Sequence, residues 1–416
     1  MGEFFGSSPK SLALAGQSTY TDASANYYGA ATLAYEKKVS YSLSLSRIDM
    51  NFLPIKDVLV ASPVNSNQSD TYGKVDTDYP PQEILSVHAL FPLFKFNNSK
   101  LGASFFTPVQ KHFEINTGDA YRPEYSMYRS RFLRTSFFLN YIQPLSDQTS
   151  FAIGIMTGIK SEGETYVVAN DTGADNPSSG KMGFNASPIL SGLFSFSHKW
   201  SSRSRSYFSF QDQSQSELKN KVSGLTPIGG SSLKYNWDMN STLYFDPRIY
   251  RLSHRYSNHD WKVVSTLEYQ DWSGYESPRL NLKNNGGILV SSDQAQNFDL
   301  QNILVPKIAF ELTDGSWSWQ AGLSHRASPM ILKDHRPGNQ LDTDSTIFGL
   351  GVEKECRFKE EKFHLQLGAQ YHQLKEKTIK KSGDRENGDP GDKIGSPSYK
   401  GGGNVSIISV GISWSL

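Results

Sequence analysis

The sharpest chemical feature of this chain is a run of three arginines, Arg129, Arg131 and Arg134, spaced two and three residues apart. A guanidinium pairs with a carboxylate through two parallel hydrogen bonds, so the trio could meet an acidic head group; a contact with anionic lipid is the competing reading. Catalytic chemistry finds little to work with. The nine histidines have no metal-ligand spacing, and neither a Gly-x-Ser-x-Gly turn nor a phosphate loop is present. His325 and His372 read as polar lining of an internal space, with no nucleophile and acid arranged around them. The single cysteine, Cys356, allows no intrachain disulfide and reads as a small buried or lipid-facing side chain. These residues predict no enzyme, no metal and no cofactor. A net charge of +1 gives no electrostatic case for nucleic acid as a partner.

The elements that must position these residues are strands. From Ile408 the last segment alternates without a break: Ile408, Val410, Ile412, Trp414 and Leu416 on one face, Ser409, Gly411, Ser413 and Ser415 on the other. Val39, Tyr41, Leu43 and Leu45 alternate with serines in the same way, and similar segments recur throughout, giving about fourteen strands. Strands of roughly 9–11 residues suit a tilted membrane crossing. No stretch approaches the roughly 18 apolar residues that a membrane helix needs. Hydrophobic residues are only 37%, yet aromatics reach 12%, which suits a thin apolar surface layer better than a thick core.

Connections decide between a soluble sandwich and a membrane barrel. Tight links such as 146–148, 201–204, 257–260, 313–315 and 358–361 alternate with long polar stretches such as 50–82, 110–132, 160–187, 214–247, 273–302 and 376–403. Outer-membrane barrels place all long loops at one end. The face opposite the apolar one carries Gln366, Gln370, His372, Gln320 and Arg326. Burying such groups unpaired costs roughly 2–7 kcal/mol each, and a lumen supplies the polar surroundings that a sandwich core does not. Trp200, Trp261, Trp272, Trp317 and Trp414 fall near strand ends, where interfacial aromatic girdles form. The predicted fold is therefore all-β, a transmembrane antiparallel barrel over residues 39–416. Residues 1–38, rich in Ala, Ser and Gly and without a period of two, form a separate opening segment with short helical turns or a compact plug. The chain opens MGEFFGSSPK with neither a charged leader nor an apolar run, and reads as a mature exported chain behind an added start Met.

With these patterns in place, the sequence resembles the FadL-type family of outer-membrane transporters for long-chain fatty acids and other hydrophobic molecules. Four stretches carry the likeness in order: GQSTYTDASANYYGAATLA (16–34), EYQDWSGY (268–275), WQAGLSHRASP (319–329) and the hairpin 346–374, with Gly-x-Gly followed by Leu-Gly-Ala-Gln-Tyr. The family's Asn-Pro-Ala turn is Tyr28-Gly29-Ala30 here, and the chain ends in Leu416 rather than an aromatic. The resemblance implies a Gram-negative outer-membrane barrel of fourteen strands, plugged by its N-terminal segment as a hatch. Hydrophobic cargo, fatty acids foremost, would be captured at external loops and leave sideways through the wall. A weakly selective porin and a lipid-binding or structural barrel without flux are the alternatives.

The hatch candidates are Gly16, Asp22, Asn26, Tyr27, Tyr28 and Gly29, as a movable plug or as ordinary plug packing. Gly102 and Pro108 mark a strand whose edge could break for a lateral opening, because proline cannot donate to a ladder and glycine marks bulges. Phe52, Leu53, Ile55, Val58, Leu59 and Val60, with Phe113 and Ile115 in the next loop, form apolar groups in otherwise polar loops. They read as a capture patch, as a contact with lipopolysaccharide, or as the packed underside of the loops. The expected partners are a hydrophobic small molecule, outer-membrane lipids and lipopolysaccharide, and the barrel-assembly machinery during biogenesis, around a monomer.

Overall fold

The structure, a computed structural model, describes residues 5–19, 22–61, 69–75, 77–93, 98–110, 122–128, 134–168, 179–228, 231–275, 281–284, 299–335, 338–359, 361–381 and 392–416. Its wall is a closed antiparallel barrel of 14 strands. In chain order these are β1 (Ser40–Phe52), β2 (Asp78–Leu93), β3 (Ser99–Pro108), β4 (Ser136–Pro144), β5 (Thr149–Val168), β6 (Ser179–Lys199) and β7 (Ser204–Gln211). The second half comprises β8 (Arg248–Ser257), β9 (Trp261–Asp271), β10 (Ile303–Asp314), β11 (Trp317–Arg326), β12 (Ser345–Phe358), β13 (Glu361–Lys380) and β14 (Ser398–Ser415). Each strand pairs with the next, and β14 closes on β1 with Ser40 opposite Ser415. Closure leaves the wall no free edge, the condition for a sheet to sit in lipid.

The alternation read from the sequence sets the faces. Ile408 and Val410 are 59% and 52% exposed on the outside, and Ser409 between them is 1% exposed inside. Leu365 and Leu367 face outward, with Gln366 and Gln370 buried within. Arg326 also points in, held by Asp342 at 3.1 Å. His325 departs from the expected inward position: its neighbours Ser324 and Arg326 take the inside, so the strand period turns His325 outward. His372 does face the interior, fully buried.

Tight turns and both ends of the wall share one end of the barrel, where the Leu416 N–H donates to Val39 O at 2.9 Å. Trp200, Trp261, Trp317 and Trp414 ring that end, with Trp414 stacked on Tyr41 at 5.2 Å. Trp272 does not belong to this girdle. It lies at the other end of β9, is 1% exposed, donates its indole N–H to Gln270 Oε1 at 3.1 Å and packs on Phe245 and Tyr275.

Several stretches read as polar loops are ordered hairpins at the long-loop end. β5 and β6 run on as a ladder to Val168 and Ser179. Strands Ser214–Ile228 and Ser231–Asp246 pair with each other, and the first lies parallel to residues 161–168 of β5. Segments Ile55–Ala61 and Thr71–Val75 form a separate two-stranded sheet. These strands escape a periodicity search because they stand clear of the bilayer, where no face has to be apolar.

The interior is not uniform along the axis. On β1 the inward positions read Ser42, Ser44, then Ile48, Met50, Phe52, while the outward ones read Leu43, Leu45, then Arg47, Asp49, Asn51. Near the tight turns the wall is apolar outside and polar inside; toward the long loops it inverts to the pattern of a soluble protein.

Candidate functional site

Against the polar lower interior lie residues 5–19 and 22–35. Helix α1 (Pro9–Ala13) begins at Ser8, whose side chain accepts from the Ser11 N–H in a capping box, with Pro9 at the first helical position. Helix α2 (Ala25–Gly29) runs directly into a 3₁₀ turn over Ala30–Tyr35. Short apolar helices of this kind have no stability of their own; the wall supplies it. α1 packs on β11, β12, β13 and β14, and the 3₁₀ turn on β3 to β6.

Two devices fix the segment. The first is space. A Cβ added at Gly322, Gly349 or Gly368 would meet the backbone of Leu14, Ala13 or Pro9, and at Gly411 it would come within 2.9 Å of the Pro9 ring. The Gly-x-Gly pattern of β12 and its neighbours therefore marks a groove in the wall that admits a helix at backbone distance. The second is hydrogen bonding from wall side chains to carbonyls of this segment. His88 Nε2 donates to Ser7 O at 2.7 Å, Gln370 to Leu12 O at 3.1 Å, Lys307 to Gly16 O at 3.2 Å and Arg255 to Thr19 O at 2.9 Å. Ser150 donates to Ala31 O at 2.6 Å, and Lys100 bonds Ala34 O. Polar wall groups that open water would otherwise solvate are satisfied by the segment's backbone.

The six hatch candidates fall within this arrangement, with different duties. Gly16 ends the α1 turn at φ 75° and presents its carbonyl to Lys307. Asp22 accepts the Ser24 N–H at 2.8 Å, which shapes the entry to α2. Asn26 bridges two strands, donating to Ser104 Oγ at 2.8 Å and accepting from Asn140 Nδ2 at 2.9 Å. Tyr27 packs edge-on against Phe106 and Phe138 at 5.6 and 5.1 Å. Tyr28 accepts the Ser7 N–H at 3.0 Å, and burial pushes its hydroxyl up to about 12. Gly29 accepts the Thr32 hydroxyl at 2.8 Å.

Sequence reading missed Lys10, the one cation of α1. It reaches Glu311 at 3.1 Å and Glu353 at 3.6 Å, and Lys262 joins Glu311 at 2.7 Å. Burial opposes its charge, but Glu311, Glu353 and Asp22 outweigh that and raise its pKa above the usual lysine value. A cavity of ≈ 570 Å³, lined partly by Lys10, Lys262, Glu311 and Glu353, opens beside it at the tight-turn end. We predict that Lys10→Ala in a Cys356→Ser chain loosens this end of the segment. A cysteine at Ser18, 4% exposed, should then react with a water-soluble maleimide. The rate should rise about tenfold, the effect of roughly 1.4 kcal/mol on a local opening. An unchanged rate would show that the pair does not hold the segment.

Other predicted positions come out differently. Gly102 lies in an unbroken ladder, its neighbours Lys100–Phe106 matched to Ile142–Ser136 on β4. It marks no kink: the missing side chain makes room for Asn26. Pro108 pairs with Ile84 of β2 beyond the end of the β4 ladder, where Thr107 and Thr135 still join by their hydroxyls at 2.9 Å. Phe52, Ile55, Val58 and Leu59 are buried rather than displayed, with Leu53 and Val60 partly so. Phe52 stacks on Tyr125 at 3.9 Å and meets Tyr79 and Tyr128 edge-on, so the loops cover it. Arg134 is turned inward onto the Asp246 carboxylate with its guanidinium 3.6 Å from the Tyr244 ring; its place for an external carboxylate is already taken. Phe113, Ile115, Arg129 and Arg131 lie outside the described residues.

No protein-family model matches the chain. It is 29% identical over 139 residues to alkane uptake protein A of Marinobacter nauticus, a match covering 32% of this chain and spanning only 30% of that relative. Among solved structures the fold is similar to a Pseudomonas aeruginosa FadL homologue, with TM-score 0.67, 12% identity and 98% of both chains covered. The toluene transporter TodX of P. putida superposes at TM-score 0.53 with 13% identity over 99% of this chain and 98% of that one. TbuX of Ralstonia pickettii, another toluene transporter, gives 0.51 with 14% identity over 99% of both chains. The fold is that of the FadL-type outer-membrane barrels.

Proposed function

We propose that this FadL-type barrel carries hydrophobic small molecules with long alkyl chains, fatty acids or the parent alkanes, passively across a Gram-negative outer membrane. The observation that carries the reading is the division of the interior. Below, residues 5–19 and 22–35 lie against polar wall groups; above, apolar and aromatic inward positions, among them Ile48, Met50, Ile84, Val405 and Ile407 around the Phe52–Tyr125 stack, stand beside paired charges such as Arg134–Asp246 and Arg326–Asp342. A water-filled porin needs the lower half open and gains nothing from the upper one. Cargo entering from the long-loop end meets apolar surface until it reaches the plug, whose movement lets it leave sideways into lipid rather than into the aqueous space below. The segment 1–38 acts as a hatch in this scheme, with Asn26 and Tyr27 fastening it to β3 and β4 and Lys10 to β10 and β12.

Cells lacking their own transporter, expressing this chain and given a labelled long-chain fatty acid, should take it up faster than vector-only cells. An alkane of equal chain length should compete, because Arg134 is already matched to Asp246 and supplies no head-group selection. Correct insertion without uptake of either molecule would reject the transport reading and leave a lipid-binding or structural barrel.

A further inference from the structure

We propose that Arg205 of β7 and Arg255 of β8 form a phosphate-binding site inside the tight-turn end of the barrel. The two residues are direct partners in the β7–β8 register. Both take the inward parity of their strands, Arg205 with Tyr207 and Ser209, Arg255 with Arg251 and Ser253, and both are partly buried. Side chains so placed start about 5 Å apart at Cβ, and like charges directly across a sheet repel each other. Elsewhere the interior neutralises its arginines. Arg134, Arg251 and Arg326, likewise turned into the barrel, hold Asp246, Glu268 and Asp342. Among the described residues no carboxylate comes within ion-pair distance of Arg205 or Arg255; the acid whose charge reaches Arg205 is Glu36, beyond that distance.

Unmet hydrogen bonds gather at the same place. Arg205 Nε, Arg255 Nε and the Ser257 hydroxyl have no partner among the described residues. Ser257 lies two residues beyond Arg255 on the same strand, and so on the same face. A guanidinium meets an oxyanion through a planar fork of parallel N–H groups. A carboxylate has two oxygens and fills one fork. A phosphate group has oxygens for both forks and for a hydroxyl besides, and its charge of about −1.5 to −2 near neutral pH answers two guanidiniums. Space adjoins the pair. The ≈ 570 Å³ cavity is lined in part by Glu36 and Lys262, whose charges act on Arg205 and Arg255 in turn. Both arginines also touch the N-terminal segment. Arg255 donates to Thr19 O at 2.9 Å, and the Arg205 guanidinium lies 5.1 Å from the Tyr35 ring centre. A phosphate group at this point ties β7, β8 and both parts of the segment together. It arrives free in solution or on a lipid head group drawn into the mouth of the barrel.

The test uses the full chain refolded in detergent, with radiolabelled inorganic phosphate and the ionic strength held constant by sodium chloride. Equilibrium dialysis should show a single saturable site. At phosphate about 100 times its dissociation constant, the unfolding constant in urea should fall about 100-fold. Arg205→Gln should weaken binding about tenfold or more, the loss of one charge-assisted fork. If that variant does not refold, Arg205→Lys carries the test, because it keeps the charge and loses the fork. Arg357→Gln, an exposed arginine elsewhere at the same end, should bind as the parent does. No saturable binding, undiminished affinity in the Arg205 variants, or equal stabilisation by sodium chloride alone overturns the site. Displacement of the label by glycerol phosphate identifies a soluble phosphate, and displacement by short-chain phosphatidylglycerol alone identifies a lipid head group. Hexanoate displacing it equally well overturns the choice of phosphate over carboxylate. Uptake enters none of these readouts, so the site stands or falls apart from the transport reading.

Discussion

Deleting Phe5–Tyr35 should turn a barrel that passes little current into an open pore, with single-channel conductance in planar bilayers rising about tenfold or more. A barrel of 14 strands lies between those small enough to be filled by their own side chains and the porins that enclose water. Its lower interior is lined by Ser42, Ser44, Arg251, Glu268, Lys307, Glu311, Gln366 and Gln370, and the segment's backbone satisfies several of these. With the segment gone, water takes over those bonds and the lumen wets. The wall should survive, because its ladders close on themselves without using the segment. Conductance equal to that of the intact chain, from a correctly folded barrel, would mean that some other part of the molecule occludes the lumen.

Glu268→Ala should be the most damaging single substitution in the wall. Glu268 is 0% exposed, accepts from Arg251 at 2.7 Å and Gln270 at 2.7 Å, and pairs with Lys307 at 3.2 Å. Arg251 also lies 5.6 Å from the Tyr27 ring centre and Lys307 holds Gly16, so one carboxylate ties β8, β9 and β10 to the N-terminal segment. Removing it leaves two buried cations facing each other, at a cost of about 3–5 kcal/mol. The shift of the urea midpoint of the refolded protein in detergent, multiplied by the unfolding slope, measures it. A loss under about 1 kcal/mol, the worth of an exposed pair, would show that water reaches Glu268 and that the lower interior is wetter than its burial indicates.

The wall was legible in the sequence because a bilayer imposes a strict rule: every second residue must be apolar for as long as the strand touches lipid. Leu365, Leu367, Ile408 and Val410 announce it, and the serines and glutamines between them give the inner face. Where that rule lapses the signal lapses too. The paired strands Ser214–Ile228 and Ser231–Asp246 have no obligatory apolar face, so they read as loop. Trp272 read as girdle because an indole at a strand end looks alike whether it points outward or in. The separate character of the opening segment was legible in composition, but its contacts with the wall were not. Lys10 meets Glu311 and Glu353 across hundreds of residues of chain, and Gly322, Gly349 and Gly368 mean something only once α1 is known to lie against them. Gly102 and Pro108 were read by rules for strand edges; for Gly102 the governing fact is the neighbouring Asn26.

The pairing of β14 with β1 carries a consequence for how the molecule comes into being. Ser40 meets Ser415, so the contact that seals the cylinder joins residues far apart in sequence. Contacts so distant in sequence are slow to form. Until that seam zips, the sheet has two raw margins, each a template for another chain. Nothing short of residue 415 can finish the object. A ribosome product halted anywhere before β14 is not a smaller barrel but an open ribbon, and assembly of this protein is a race between its own last strand and a stranger's.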